Sequence, residues 1–317
     1  MKVVVLEPLG ISQEEEKKAS ENIVKQGHEV IFNRKRPSDE NEVASVAGDA
    51  DVVIIANMPF KKNYIEKCAN MKFLSVAFAG VDHVDIDFCR EKGIVVSNAA
   101  GYSVNAVTEL AFGLAISVLR NIPKCDERAK NGGTKDGLVG TELFGKNFGV
   151  IGTGAIGSRV CTVAKAFGCN VYAYSRTEKE ELKNQGVIYT SLEEVCKNCD
   201  IISLHVPYNK NTDKLISADL INKMKKNAIL INTARGGVID SQALADALNE
   251  GRIAGAGIDV LETEPPFDLN HPLIKAKNTV ITPHAAFASK EALFIRAQMV
   301  FDNIDFWQKG TPRNLCS

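Results

Sequence analysis

A chain of 317 residues is long enough for two domains that each bury a core, and its 45% hydrophobic, 24% charged composition is that of an ordinary soluble globular protein. The 38 basic and 39 acidic side chains leave a formal charge of −1, so nothing in the balance favours nucleic acid or an anionic membrane. The 8 cysteines are scattered through the chain, and the apolar run at Met1–Leu6 is closed by Glu7-Pro8 before it could serve as an export signal, which together point to reduced thiols in a cytoplasm.

Taken in chain order, the first hundred residues alternate strand and helix. Strands are predicted over 2–6, 28–32, 51–55, 72–76 and 94–97, with an amphipathic helix over 14–26 stopped by Gly27. Near-continuous β-branched runs of this kind suit parallel strands covered on both faces. A long helix follows over 104–120; its apolar stretch from Leu110 to Leu119 is about half of what a bilayer span needs and reads as buried. The Gly-rich, polar segment 131–140 reads as a loop. Beyond it come a strand over 148–151, a helix over 155–167 with Ile156, Val160, Val163 and Phe167 at helical spacing, and a strand over 170–174. Further strands over 200–205, 228–232, 253–258 and 279–282 alternate with helical patterns, clearest over 240–248, which is closed by Gly251. The fold class is therefore α/β, with two doubly wound parallel-sheet domains and ligands expected at the carboxyl ends of the strands. The one close cysteine pair, Cys196 and Cys199, lacks a second pair or a histidine partner, so it reads as structural and no metal site is expected.

Between the 148–151 and 170–174 strands lies Gly152-Thr153-Gly154-Ala155-Ile156-Gly157, a GxGxxG turn in its proper strand–turn–helix setting. Glycines there let the backbone turn tightly and approach a pyrophosphate, whose charge is favoured by the free N–H groups of the helix N-terminus. The acidic residue that ordinarily reads the ribose about 20 positions further on is replaced by Ser175-Arg176-Thr177. A carboxylate would repel a 2′-phosphate, whereas two hydroxyls can donate to it and an arginine supplies a planar positive fork. NADP(H) is expected to be preferred, with NAD(H) as the secondary cofactor; the competing reading makes Arg176 a solvated surface charge.

Three charged residues follow predicted strand ends of the second domain. Arg235, in Asn232-Thr233-Ala234-Arg235-Gly236-Gly237, can bind a carboxylate through two hydrogen bonds, with the glycines letting the cation stand clear of its backbone. Glu264 precedes the stiff Pro265-Pro266, and His284 follows Thr282-Pro283. Each alone is a common surface feature. Together they supply what hydride transfer to a keto acid needs: a cation for the acid group, a proton donor for the developing alkoxide, and a carboxylate to orient that donor.

With these residues in place the chain resembles the D-2-hydroxyacid dehydrogenases over essentially its whole length. The matching segments are 79–85, 152–157, 205–207, 232–237, 257–260, 262–266 and 282–284. The resemblance implies a flavodoxin-like substrate domain, built from 1–99 plus 288–317, into which a Rossmann cofactor domain, 100–287, is inserted. It also implies a homodimer formed largely through the cofactor domain. In the family's mechanism His284 would protonate the 2-keto oxygen, Glu264 would hold His284, and Arg235 would bind the substrate carboxylate and carbonyl. Backbone around Ala79, Gly80 and Val81 would complete the carboxylate site. Thr108, Thr212, Thr233, Ala234 and Asp259 match positions lining the cofactor, as do His205, Val206 and Pro207. For His205 and Pro207 sheet-end packing is an equal alternative. The resulting expectation is an NADP(H)-preferring reductase of a small 2-keto acid such as glyoxylate or hydroxypyruvate, giving the (R)-2-hydroxy acid. Alternatives are larger aliphatic or aromatic keto acids, a phosphoglycerate dehydrogenase, and a dinucleotide-sensing corepressor-like binding protein. Asn57-Met58-Pro59-Phe60, where a phosphoglycerate enzyme would offer an arginine, weighs against the second of these.

Overall fold

The computed structural model describes residues 1–316 and divides into two compact units, one of Met1–Ser103 with the segment from Ala288 onward, the other Val104–Phe287. The first unit is a five-stranded, all-parallel sheet of β1 (Lys2–Val5), β2 (Glu29–Phe32), β3 (Val52–Ile55), β4 (Phe73–Val76) and β5 (Val95–Asn98), in the order β2-β1-β3-β4-β5. Residues of β3 and β4 are buried throughout, because helices cover both faces, and this is why their sequences run apolar without alternation. The edge strand β2 is partly open along its whole length, whereas β1 and the other edge strand, β5, are partly open only at their ends. The first helix, Gln13–Lys25, starts at a capping box in which Ser12 accepts from the Glu15 N–H and the Glu15 carboxylate takes the Ser12 N–H. The helix Lys290–Gln308, capped by Ser289, returns from the far end of the chain and packs against β4 and the Gln13–Lys25 helix.

The second unit is a seven-stranded, all-parallel sheet of β6 (Asn147–Ile151), β7 (Asn170–Tyr174), β8 (Ile188–Tyr189), β9 (Ile201–Leu204), β10 (Ile229–Asn232), β11 (Gly255–Ile258) and β12 (Thr279–Ile281). Their order is β12-β11-β10-β9-β6-β7-β8, so the winding reverses between β6 and β9 and leaves a crevice at their carboxyl ends. The helix Val104–Leu119 buries Ala111, Leu114 and Ala115 against β10 and β11. Each large apolar side chain so buried stabilises the unit by about 1.5–3 kcal/mol relative to exposure.

Two elements had no clear pattern in the sequence. Strand β8 has 2 residues, too short for any alternation, and exists because it pairs with β7. The helix Ile122–Lys130 has no buried residue within the chain, so it shows no core-facing stripe. Cys196 and Cys199 are free and buried, burial pushing both thiols up to about 12, and among the described residues no cluster of three or more His, Cys, Asp or Glu is placed to hold a metal. No single described helix is long and apolar enough to cross a membrane.

Candidate active site

The glycine turn is shaped by what surrounds it. Gly152, directly after β6, takes φ +93°, and a Cβ there would stand 2.5 Å from the His205 carbonyl oxygen, so the chains leaving β6 and β9 lie against each other. At Gly157 a Cβ would stand 1.8 Å from the Gly152 oxygen, which makes that glycine a packing requirement. Gly154 differs. It is the N-cap of the helix Ala155–Ala166, has φ −64°, and a Cβ on it would meet nothing within 4 Å. Neither backbone conformation nor a neighbour in the chain demands glycine there, and the open space before the helix N-terminus suits the close approach of a pyrophosphate.

This turn borders a cleft of ≈ 460 Å³, lined also by Ser175, Arg176, Thr177, His205, Val206, Pro207 and Thr212. Its wall also holds Tyr174, Lys179, Asn209, Asn211 and Leu215, which the sequence did not single out. Lys179 donates from Nζ to Ser158 Oγ at 2.9 Å, and its backbone N–H donates to Tyr189 Oη, which in turn donates to Thr153 Oγ1 at 3.0 Å. A second cation is thereby fastened to the first turns of the fingerprint helix. Glu178, which follows Thr177 in the chain, is paired with Lys183 at 2.7 Å. Burial drives the pKa of His205 down to about 3, so its imidazole is neutral at working pH, with Nε2 2.8 Å from Ser203 Oγ. Thr212 donates to the Pro207 carbonyl at 2.6 Å and accepts from Asn209 N–H at 2.8 Å, which stiffens that wall. Thr108 and Ile156 do not line the cleft: the Thr108 hydroxyl donates to the Val104 carbonyl of its own helix, and Ile156 packs on the core.

The reactive candidates emerge from three adjacent strands, β10, β11 and β12. After β10 the buried Asn232, also overlooked, accepts from the Ala234 N–H at 3.0 Å and donates to the Arg235 carbonyl at 2.9 Å, fixing the turn that presents Arg235. Arg235 donates from one guanidinium nitrogen to the Ala234 carbonyl at 2.8 Å. The following Gly236 is needed for a different reason from the one expected: a Cβ would lie 2.0 Å from the Leu261 backbone carbon, so this turn packs against the chain leaving β11. After β11, the fully buried Asp259 accepts from Thr282 Oγ1 at 2.5 Å and from the N–H groups of Ala285 and Ala286 at 2.8 and 3.0 Å. That carboxylate shapes the turn carrying His284, whose φ of +54° is a left-handed conformation that side chains other than glycine rarely adopt. The His284 N–H donates to the Asp259 carbonyl at 2.8 Å.

His284 Nδ1 donates to Glu264 Oε2 at 2.7 Å, and the Phe287 ring stands edge-on to the imidazole at 5.3 Å. A carboxylate on Nδ1 fixes the tautomer and assigns proton exchange with a substrate to Nε2. The Glu264 loop is closed by Glu262, which His271 reaches at 2.8 Å; burial pushes the Glu262 carboxyl up, yet hydrogen bonds from Ser241 and His271 outweigh it and hold the group below its usual value. Thr233, beside Arg235, keeps its hydroxyl buried with no partner among the described residues, an arrangement that costs stability unless a ligand supplies the bond. With open space at Gly154 and a waiting donor at Thr233, the unit suits a dinucleotide. In the first unit, Ala79, Gly80 and Val81 form the turn after β4, with Ala79 exposed and its carbonyl taking a hydrogen bond from Asn98 at 2.7 Å.

A doubly wound sheet with a glycine-turn cleft at its switch point and a histidine–carboxylate pair at neighbouring strand ends defines a nicotinamide-dependent oxidoreductase. Residues 112–286 match the family model "D-isomer specific 2-hydroxyacid dehydrogenase, NAD binding domain", and the chain belongs to that family. It is 34% identical over 298 residues to a hydroxypyruvate reductase of Blautia hydrogenotrophica, covering 91% of this chain and 92% of the relative. It is 39% identical over 277 residues to a glyoxylate reductase of Thermococcus litoralis, covering 84% and 83%. Among solved structures, an acyclic imino acid reductase (Bsp5) in complex with NADPH and D-Arg superposes with a TM-score of 0.89 at 30% identity over 100% of both chains.

Proposed function

We propose that the protein reduces a small 2-keto acid, of the glyoxylate or hydroxypyruvate kind, to the (R)-2-hydroxy acid in the cytoplasm, with NADP(H) preferred over NAD(H). The observation that carries this reading is the His284–Glu264 pair at 2.7 Å, whose members follow β12 and β11, with β11 lying next to β10, the strand presenting Arg235. The bound cofactor would supply hydride to the keto carbon. Arg235 binds the substrate carboxylate and polarises the carbonyl, and His284 gives the Nε2 proton to the oxygen as charge develops on it. Glu264 stabilises the imidazolium before transfer and keeps the ring oriented. The first unit acts as the substrate domain, with the backbone of Ala79, Gly80 and Val81 as its carboxylate-binding turn, and the second as the cofactor domain.

Thr233, Ala234 and the Asp259-anchored turn shape the nicotinamide end of the cofactor site, while Gly152, Gly154 and the helix starting at Ala155 hold the pyrophosphate. NADP(H) preference rests on Ser175, Arg176 and Thr177 lining a cleft to which Lys179 adds a second cation and whose lining, among the described residues, includes no carboxylate. A homodimer is supported by the helix Ile122–Lys130, which buries nothing in its own chain, and by Val139 and Phe144, which are 83% and 74% exposed.

The experiment is a spectrophotometric matrix of NADPH and NADH against glyoxylate, hydroxypyruvate, pyruvate, 2-ketoisocaproate and phenylpyruvate, run on the wild type and on Ser175→Asp with Arg176→Ala. Turnover is expected with the small keto acids and NADPH, moving toward NADH in the double variant. Oxidation of neither nucleotide with any acid would sink the reductase reading, and an unmoved cofactor ratio would sink the 2′-phosphate argument alone.

A further inference from the structure

The helix Lys290–Gln308 carries a charge where an apolar side chain is the ordinary choice. Arg296 is 4% exposed, lodged under the carboxyl ends of the first unit's strands. Burial works against its charge, while the Tyr102 hydroxyl, through a hydrogen bond, and the Glu7 carboxylate support it. The guanidinium lies 5.3 Å from the centre of the Phe78 ring and 5.8 Å from that of Tyr102, and the two rings meet at 6.3 Å and 61°. One of its nitrogens donates to the Leu9 carbonyl at 2.6 Å.

Arg296 thus ties together the segments that follow β1, β4 and β5, at the edge of the sheet where a doubly wound unit receives ligands. Phe78 is the residue immediately before Ala79-Gly80-Val81. Its carbonyl takes the Ala99 N–H at 2.9 Å, and Asn303, two turns beyond Arg296 on the same helix, donates to the Asn98 carbonyl at 2.8 Å. The turn after β4 therefore rests on the C-terminal helix through Arg296 on one side and through Asn303 and Asn98 on the other. A leucine or methionine would fill similar volume without desolvating a cation, so packing alone does not account for a guanidinium here. What the guanidinium adds is a plane that stacks on rings and donors of fixed direction.

We propose that Arg296 is a positioning residue of the keto-acid site, setting Phe78 and Tyr102 and through them the Ala79–Val81 backbone that receives the substrate carboxylate. This rests on the reductase reading above. The test compares wild type with Arg296→Met, Arg296→Lys and Tyr102→Phe in steady-state kinetics with both substrates varied, alongside thermal unfolding. In Arg296→Met the KM for the keto acid is expected to rise about tenfold or more while the KM for NADPH stays within about twofold. Arg296→Lys, which keeps the charge and loses the plane, should recover part of that rise. Tyr102→Phe should move the keto-acid KM the same way by less. A fall in unfolding temperature with an unchanged keto-acid KM would make Arg296 a fold residue only and overturn the inference, as would equal rises in both KM values. If Arg296→Met does not fold, unchanged keto-acid KM values in the other two variants overturn it. A wild-type protein that reduces no keto acid defeats the reductase reading, and this inference with it.

Discussion

At the scale of single residues the site is built by second partners rather than by the reactive groups themselves. A left-handed residue such as His284 costs about 1–3 kcal/mol, and the Asp259 carboxylate, by accepting from the Thr282 hydroxyl and two backbone N–H groups, offsets that cost and keeps the ring against Glu264. On the proposed mechanism, with Nδ1 committed to Glu264, loss of the ring would remove the proton donor without disturbing the glycine turn. His284→Ala is expected to lower kcat by about 10²- to 10⁴-fold while the Kd for NADPH, measured by fluorescence titration, changes little. A variant turning over at the wild-type rate would take His284 out of the chemistry. Arg235, Glu264 and His284 were legible because each follows a strand end in chain order. Lys179 and Asn232 were not: the first matters through Ser158 and the second through the turn it clasps, and neither relation has a period or spacing in the sequence.

Among the elements, the fingerprint helix and its turn divide their glycines by task. Gly157→Ala would drive a methyl to 1.8 Å from the Gly152 oxygen, and a forced backbone shift of that kind is expected to destabilise the protein by about 3 kcal/mol, seen as a lowered midpoint of denaturant unfolding. Gly154→Ala meets open space and alters only an N-cap, so its unfolding free energy should change by less than about 1 kcal/mol while NADPH affinity falls about tenfold or more. Wild-type affinity in Gly154→Ala would mean that the pyrophosphate lies elsewhere. The parallel strands were readable from their apolar runs, since burial on both faces leaves no polar positions in them. Strand β8 and the helix Ile122–Lys130 were not, the one being defined by its neighbour β7 and the other burying no residue fully within the chain.

For the whole molecule, the second unit leaves Val139 and Phe144 exposed and carries a helix, Ile122–Lys130, with no buried residue, which is more apolar surface than a lone chain profits from. Light scattering should report twice the chain mass at micromolar concentration, and Val139→Asp with Phe144→Asp should shift it toward a single chain. A wild-type monomer across that range would refute the dimer.

The sequence by itself determined the α/β class, the dinucleotide turn, the missing ribose acid at Ser175 and the three reactive candidates, because each is written in residues close together along the chain. Only the tertiary structure decided that Lys179 stands by the fingerprint helix, that Asp259 shapes the His284 turn, and that Arg296 wedges Phe78 against Tyr102. Those relations join side chains far apart in the sequence, through hydrogen bonds and ring contacts that exist only once the strands have brought their carboxyl ends side by side.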